Sequence, residues 1–100
     1  MDRWNDRYYV YTILSLKDFN IFTGLTNDLK TRINEHTRGI VIGTNIRIPF
    51  KLIHYEYFVN LEDAKKRELF LKTSGGKALL KDSLKKTLAS KRYMPYRLIK

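Results

Sequence analysis

The stretch FTGLTNDLKTRINEH, residues 22–36, sets Arg32 and His36 one helical turn apart beside Leu29 and Ile33. Positions three and four apart share a helix face, so these four side chains make one stripe, half apolar and half cationic. A helix that only covered a core would hold its arginine on the opposite side. A guanidinium that keeps its charge, next to an imidazole that exchanges protons near neutrality, suits an anionic substrate. His36 taken alone is more often a capping or packing residue. A second group lies in LEDAKKRELFLK, where Leu61, Ala64, Glu68 and Leu71 fall on one face. An unpaired carboxylate on such a stripe is costly. Two kinds of partner would compensate Glu68: a cation, Arg32 among them, or a metal ion. One carboxylate with water and phosphate oxygens is a common way to hold Mg²⁺. Tyr11 is a third candidate, either as a core aromatic or as a positioned hydroxyl.

The elements that must carry these groups follow from pattern. YYVYTILSL, residues 8–16, is rich in β-branched and aromatic side chains and predicts a strand. Tyr9, Tyr11 and Ile13 share one of its faces, and Tyr8, Val10 and Thr12 the other. KDFN supplies a turn, and a returning strand from Ile21 is closed by Gly24. Thr26 or Asn27 then caps a helix that runs to Thr37 and stops near Gly39. Residues 40–49 read as irregular, because Pro49 lacks a ladder donor. FKLIHYEYF predicts a third strand, and Asn60 with Asp63 caps a second helix from Leu61 to Lys72. TSGGK reads as a break, followed by a third helix from about Lys77 to Ala89. The order ββαβαα predicts an α+β fold, a small three-stranded antiparallel sheet flanked by helices.

One hundred residues suit a single domain with one modest core, here expected over 8–88 with a basic tail at 89–100. Hydrophobic residues make up 43% of the chain, too many for a disordered one. With no cysteine, neither a disulfide nor a thiolate zinc site can hold it together. The N-terminus lacks the apolar run of a signal peptide, and no segment reaches membrane-spanning length, so a cytoplasmic location is expected. The formal charge is +10, and the excess is concentrated after Lys77, where Asp82 is the one acidic residue. Such an excess favours a polyanion. A membrane-surface helix would need bulkier apolar residues opposite its charges than Leu79, Leu80, Leu84 and Leu88 provide. Nucleic acid is the favoured partner, with Arg47, Lys51, Lys72, Lys77, Lys81 and Lys85 as candidate backbone contacts.

Order and spacing add a resemblance. YVY containing Tyr11, FTG beginning at Phe22, Arg32 ten residues on, His36 four later and a distal Arg67-Glu68 together resemble the GIY-YIG nuclease family. The similarity is closest to its small stand-alone members. Their R-x-P-x-K-L-x-x-x-E appears as RIPFKLIHYE, and their A-x-x-R-E-x-x-L-K as AKKRELFLK. TSGGKALLK is similar as well, and the match runs over roughly residues 8–88. The resemblance implies metal-dependent hydrolysis of a phosphodiester bond in DNA, with RNA also compatible. Tyr11 would orient or deprotonate the attacking water, Arg32 would meet charge on the phosphate, and Glu68 would hold Mg²⁺ or Mn²⁺. His36 would contact phosphate or assist proton transfer. Stand-alone members lack a targeting domain, so specificity would come from a protein partner or from DNA shape.

Two positions depart from the pattern. Tyr9 replaces the first glycine, and Phe22 stands where the second motif has tyrosine. A phenyl ring has no hydroxyl to hold water or pass a proton. Two hypotheses follow: a nuclease working with Tyr11, Arg32, His36 and Glu68, or a nucleic-acid-binding module on the same fold that has lost turnover.

Overall fold

The computed structural model describes residues 6–90. The tail expected beyond Ser90 lies outside them. Three strands, β1 (Tyr8–Ser15), β2 (Ile21–Thr26) and β3 (Phe50–Phe58), form one antiparallel sheet in the order β2-β1-β3. β1 takes the centre because its apolar run can be buried on both faces. Val10 and Leu14 point to one side, into a core with Ile21, Ala64, Leu71 and Leu80. Tyr11 and Ile13 point to the other, into a core with Phe50 that Phe22, Leu29 and Ile33 complete. The period-2 reading of β1 is therefore the arrangement found.

Helix α1 (Leu29–Thr37) covers the Tyr11 side, while α2 (Leu61–Lys72) and α3 (Ser74–Ser83) cover the Val10 side. The sheet with flanking helices is the expected α+β fold. The bounds of β3 and α2 fall where the sequence puts them, and Asn60 caps α2 by accepting from Glu62 N and Asp63 N. Gly39 follows α1 at a φ of 74°, a left-handed conformation that favours glycine.

Four local expectations are corrected. β2 does not close at Gly24 but continues to Thr26, since Gly24 and Thr26 pair with Tyr11 and Tyr9. The cap of α1 is Asp28, whose Oδ1 accepts from Thr31 N at 3.2 Å. Thr26 instead accepts from Asp28 N and holds the turn before the helix. TSGGK is helical from Ser74 onward, and only Thr73 interrupts the chain. Thr73 Oγ1 accepts from Gly76 N and donates to Phe70 O, so one residue ends α2 and caps α3. A Cβ on Gly76 would meet the Phe70 carbonyl oxygen and lie 2.9 Å from Leu71 Cα. That glycine permits close approach of two helices, which a breaker reading misses. The helix expected to reach Ala89 divides at Leu84 into α3 and a short α4 (Lys85–Ala89). Leu80, Leu84 and Leu88 pack on the core, whereas Leu79 is 61% exposed.

Candidate active site

Tyr11 stands mid-way along the central strand with its ring laid across Gly24 of β2. A Cβ at Gly24 would meet the Tyr11 hydroxyl and lie 2.6 Å from Cζ. Tyr11 is buried, with His36 at 5.6 Å between ring centroids, and cannot swing aside. Gly24→Ala is therefore expected to overpack the site and destabilise the fold by about 1–3 kcal/mol. Urea unfolding of the variant beside the parent chain measures this directly.

The mixed stripe of α1 divides its work. Leu29 and Ile33 pack against the Tyr11 side of the sheet, and Arg32 and His36 turn to a cleft of about 250 Å³. Tyr11, Phe22, Gly24, Thr44, Glu68 and Lys72 also line this cleft. Four residues singled out for chemistry, far apart in the chain, thus meet in one place. Glu68 does not pair with Arg32. Arg32 Nη1 donates to Glu35 Oε1 at 3.0 Å, and Lys72 Nζ lies 2.9 Å from Glu68 Oε2. Glu68 is the one carboxylate lining the cleft, and no group of three or more metal-ligating side chains occurs among the described residues. With Oε2 on Lys72, Oε1 remains for a cation, which fits a site completed by water and phosphate oxygens.

The protons of the cleft can be placed from its hydrogen bonds. Thr44 Oγ1 donates to the Val41 carbonyl, so its lone pair accepts from His36 Nδ1–H at 3.0 Å. His36 Nε2 is then bare and accepts from the Tyr11 hydroxyl at 2.8 Å. Burial pushes the Tyr11 pKa above its ordinary value, against the pull of Arg32, so the hydroxyl keeps its proton at neutral pH. Burial also lowers the His36 pKa, Arg32 adds to the effect and Glu35 opposes it. His36 is therefore neutral at rest and free to accept a proton. Thr44 is a residue that sequence reasoning missed, because nothing in an irregular loop announces which hydroxyl faces a helix.

The lowered His36 pKa has a thermodynamic consequence. In the unfolded chain His36 titrates near its ordinary 6.5. As pH falls through 6.5 toward the lower folded value, the unfolded state takes up a proton that the folded state refuses. The stability contribution is whole above 6.5 and is lost below it. Urea midpoints should fall between about pH 7.5 and about pH 5.5, and His36→Gln should shrink that fall.

A second set of ionic contacts fixes α2 against the sheet. Arg67 Nε and Nη2 donate to the two oxygens of Glu56 at 2.9 and 3.2 Å, and His54 Nε2 reaches Oε2 at 3.0 Å. Burial alone would raise the Glu56 pKa, but Arg67 and His54 together hold it below the usual value. The glutamate of RIPFKLIHYE and the arginine of AKKRELFLK thus clamp β3 to the helix that carries Glu68.

Phe22 also lines the cleft. Its ring meets Phe50 edge-on at 5.7 Å, and Arg47 lies over it at 5.6 Å. Beyond it, Arg47, Lys77 and Lys81 converge on a groove of about 280 Å³ that shares Phe22 with the cleft. Arg47 is also paired with Asp18. Lys51 and Lys85 line neither hollow. Lys51 lies on the edge strand β3, and Lys85 pairs with Asp82 at 3.3 Å.

The model of the GIY-YIG catalytic domain matches residues 7–81. The chain belongs to the GIY-YIG family. A UPF0213 protein of Clostridium perfringens is 43% identical over 65 residues, covering 64% of this chain and 69% of the relative. Another from Staphylococcus saprophyticus is 36% identical over 77 residues, covering 76% of this chain and 93% of the relative. A third, from Haloquadratum walsbyi, is 37% identical over 70 residues, with 69% of this chain and 78% of the relative covered. No solved structure matches the chain. The GIY-YIG family is of nuclease type and generally uses divalent metal ions. No helix among the described residues is long and apolar enough to cross a membrane.

Proposed function

We propose that this chain is a metal-dependent endonuclease that hydrolyses phosphodiester bonds in DNA. One observation carries the reading: the Tyr11 hydroxyl lies 2.8 Å from His36 Nε2 in a cleft that also holds Arg32, Glu68 and Lys72. A module that only bound backbone would have no use for a proton relay beside a lone carboxylate. Water entering the cleft gives its proton to the Tyr11 oxygen as Tyr11 passes its own to His36 Nε2. The resulting imidazolium is held through Nδ1–H on Thr44. The water oxygen forms its bond to phosphorus, the bond to the leaving oxygen breaks, and that oxygen takes a proton from solvent. Arg32 meets the charge that grows on the phosphoryl oxygens. Glu68 would hold the divalent ion, Mg²⁺ or Mn²⁺, which polarises the phosphate and stabilises the leaving oxygen when bound. Arg47, Lys77 and Lys81 would hold backbone beside the cleft, with Lys51 and Lys85 as outlying contacts. RNA carries the same phosphodiester and is compatible with the same groups.

Burial of His36 supports proton transfer over direct phosphate contact, since a side chain 4% exposed offers little surface to a backbone. We place the activity in the cytoplasm, with a protein partner or DNA shape providing selectivity, and assign residues 1–100 to one domain. Nicking of supercoiled DNA in Mg²⁺ or Mn²⁺, suppressed by EDTA, tests the reading. A second reading rests on Phe22, which brings no hydroxyl to the cleft: a binding module without turnover. Phe22→Tyr distinguishes the two. Nuclease action by the parent chain shows that Tyr11 and His36 suffice, whereas cutting only by the tyrosine variant assigns the parent to the binding class.

A further inference from the structure

The row of the sheet that carries Tyr11 continues beyond it onto the edge strand. Tyr55 is the cross-strand partner of Tyr11, and the next row sets Tyr57 opposite Tyr9. The Tyr9 ring meets Tyr55 at 5.9 Å and Tyr57 at 5.5 Å between centroids. Helix α1 covers Tyr11 and Ile13 but not these rings, and Tyr55 and Tyr57 are 52% and 51% exposed. Between Tyr9, Tyr55 and the first turn of α1 opens a groove of about 950 Å³, lined also by Arg7, Lys30, Leu29, Ile33 and Asp28, whose carboxylate is held by Thr31.

Tyr55 and Tyr57, left half in water beside the partly buried Tyr9, forgo burial that rings of this size normally gain. Their π-faces are what a nucleobase stacks on, and the cations flanking the groove suit the phosphates between bases. A formal charge of +10 makes the surface complementary to a polyanion and a poor seat for a second copy of the same cationic chain. Duplex bases hide their faces against one another, so the ligand must present unpaired ones. α1 lines both hollows, the groove with Leu29, Lys30 and Ile33 and the cleft with Arg32 and His36. Tyr55 is paired across the strands with Tyr11, which lines the cleft, so a strand stacked on the tyrosines lies next to the reacting groups.

We infer that Tyr9, Tyr55 and Tyr57 form a stacking site for unpaired bases of the nucleic-acid strand whose backbone is cut in the adjacent cleft. This rests on the nuclease reading for its ligand class, but not on turnover. The test is binding of fluorescent oligonucleotides to the full chain in EDTA, comparing a single strand with its duplex, for Tyr55→Ala/Tyr57→Ala and Tyr55→Phe/Tyr57→Phe. Far-UV circular dichroism confirms that each variant is folded. Loss of at least about tenfold in single-strand affinity by the alanine pair, with phenylalanine retaining it and duplex binding unmoved, is expected. Single-strand binding that is equal in parent and alanine pair overturns the stacking site while leaving the nuclease reading in place. Self-association lost in the alanine pair, with oligonucleotide binding intact, assigns the surface to a second copy and also overturns it. Binding of neither strand form by the parent overturns both readings.

Discussion

Glu68→Ala should reduce metal-dependent cleavage by on the order of 10³-fold or more while leaving the fold intact, because the variant removes the anchor for a Lewis acid worth several kcal/mol. The anchor is singular. No second carboxylate lines the cleft among the described residues, and Glu35 on α1 is held by Arg32. The structural cost is small. The Glu68 side chain is 18% exposed, and its ion-pair partner Lys72 is half exposed and returns to water when the carboxylate goes. Ala64 and Leu71, which hold α2 on the sheet, are untouched. Parent and variant should share a urea midpoint and differ in rate. A variant that cuts at parental rate in Mg²⁺ would show that the cation is held elsewhere.

Tyr11→Phe should cost about 10²–10⁴ in rate, the usual contribution of a positioned acid-base group. The phenyl ring fills the same space over Gly24, so the loss falls on the hydroxyl alone. His36 Nε2 would lose its donor, yet its Nδ1–H stays on Thr44, and the imidazole keeps its orientation. The pH profile separates a relay from a packing role. In the parent, rate should fall on the acid side as His36 becomes protonated, at a pH below the ordinary histidine value. In Tyr11→Phe that acid limb should disappear together with most of the rate. A small loss with an unchanged profile would make Tyr11 a core aromatic only.

Much of this site was legible because it depends on local periodicity. Arg32 and His36 on the stripe of Leu29 and Ile33, and Glu68 on the stripe of Ala64 and Leu71, follow from 3.6 residues per turn. That Tyr11 and Ile13 share a face follows from the pleat. What could not be read is which long-range contacts satisfy each group. Glu68 does meet a cation, but Lys72 and not Arg32, because each has a partner on its own helix, Glu35 at i+3 for Arg32 and Lys72 at i+4 for Glu68. Thr44 reaches His36 from an irregular loop, where no period constrains the side chain. Gly24 and Gly76 looked like punctuation, but the first makes room for the Tyr11 ring and the second for the end of α2. Close approach is a property of two elements, and one segment of sequence shows only half of it.

The most direct measurement is cleavage by the unmodified chain of single-stranded, nicked, branched and supercoiled DNA in Mg²⁺, Mn²⁺ or EDTA. Cutting with either metal and none in EDTA is the expected result, and it would show that Phe22 is tolerated when Tyr11 and His36 are paired. Tight binding with no cutting of any substrate in either metal would contradict it, and would leave the cleft as a place where backbone is held but not hydrolysed.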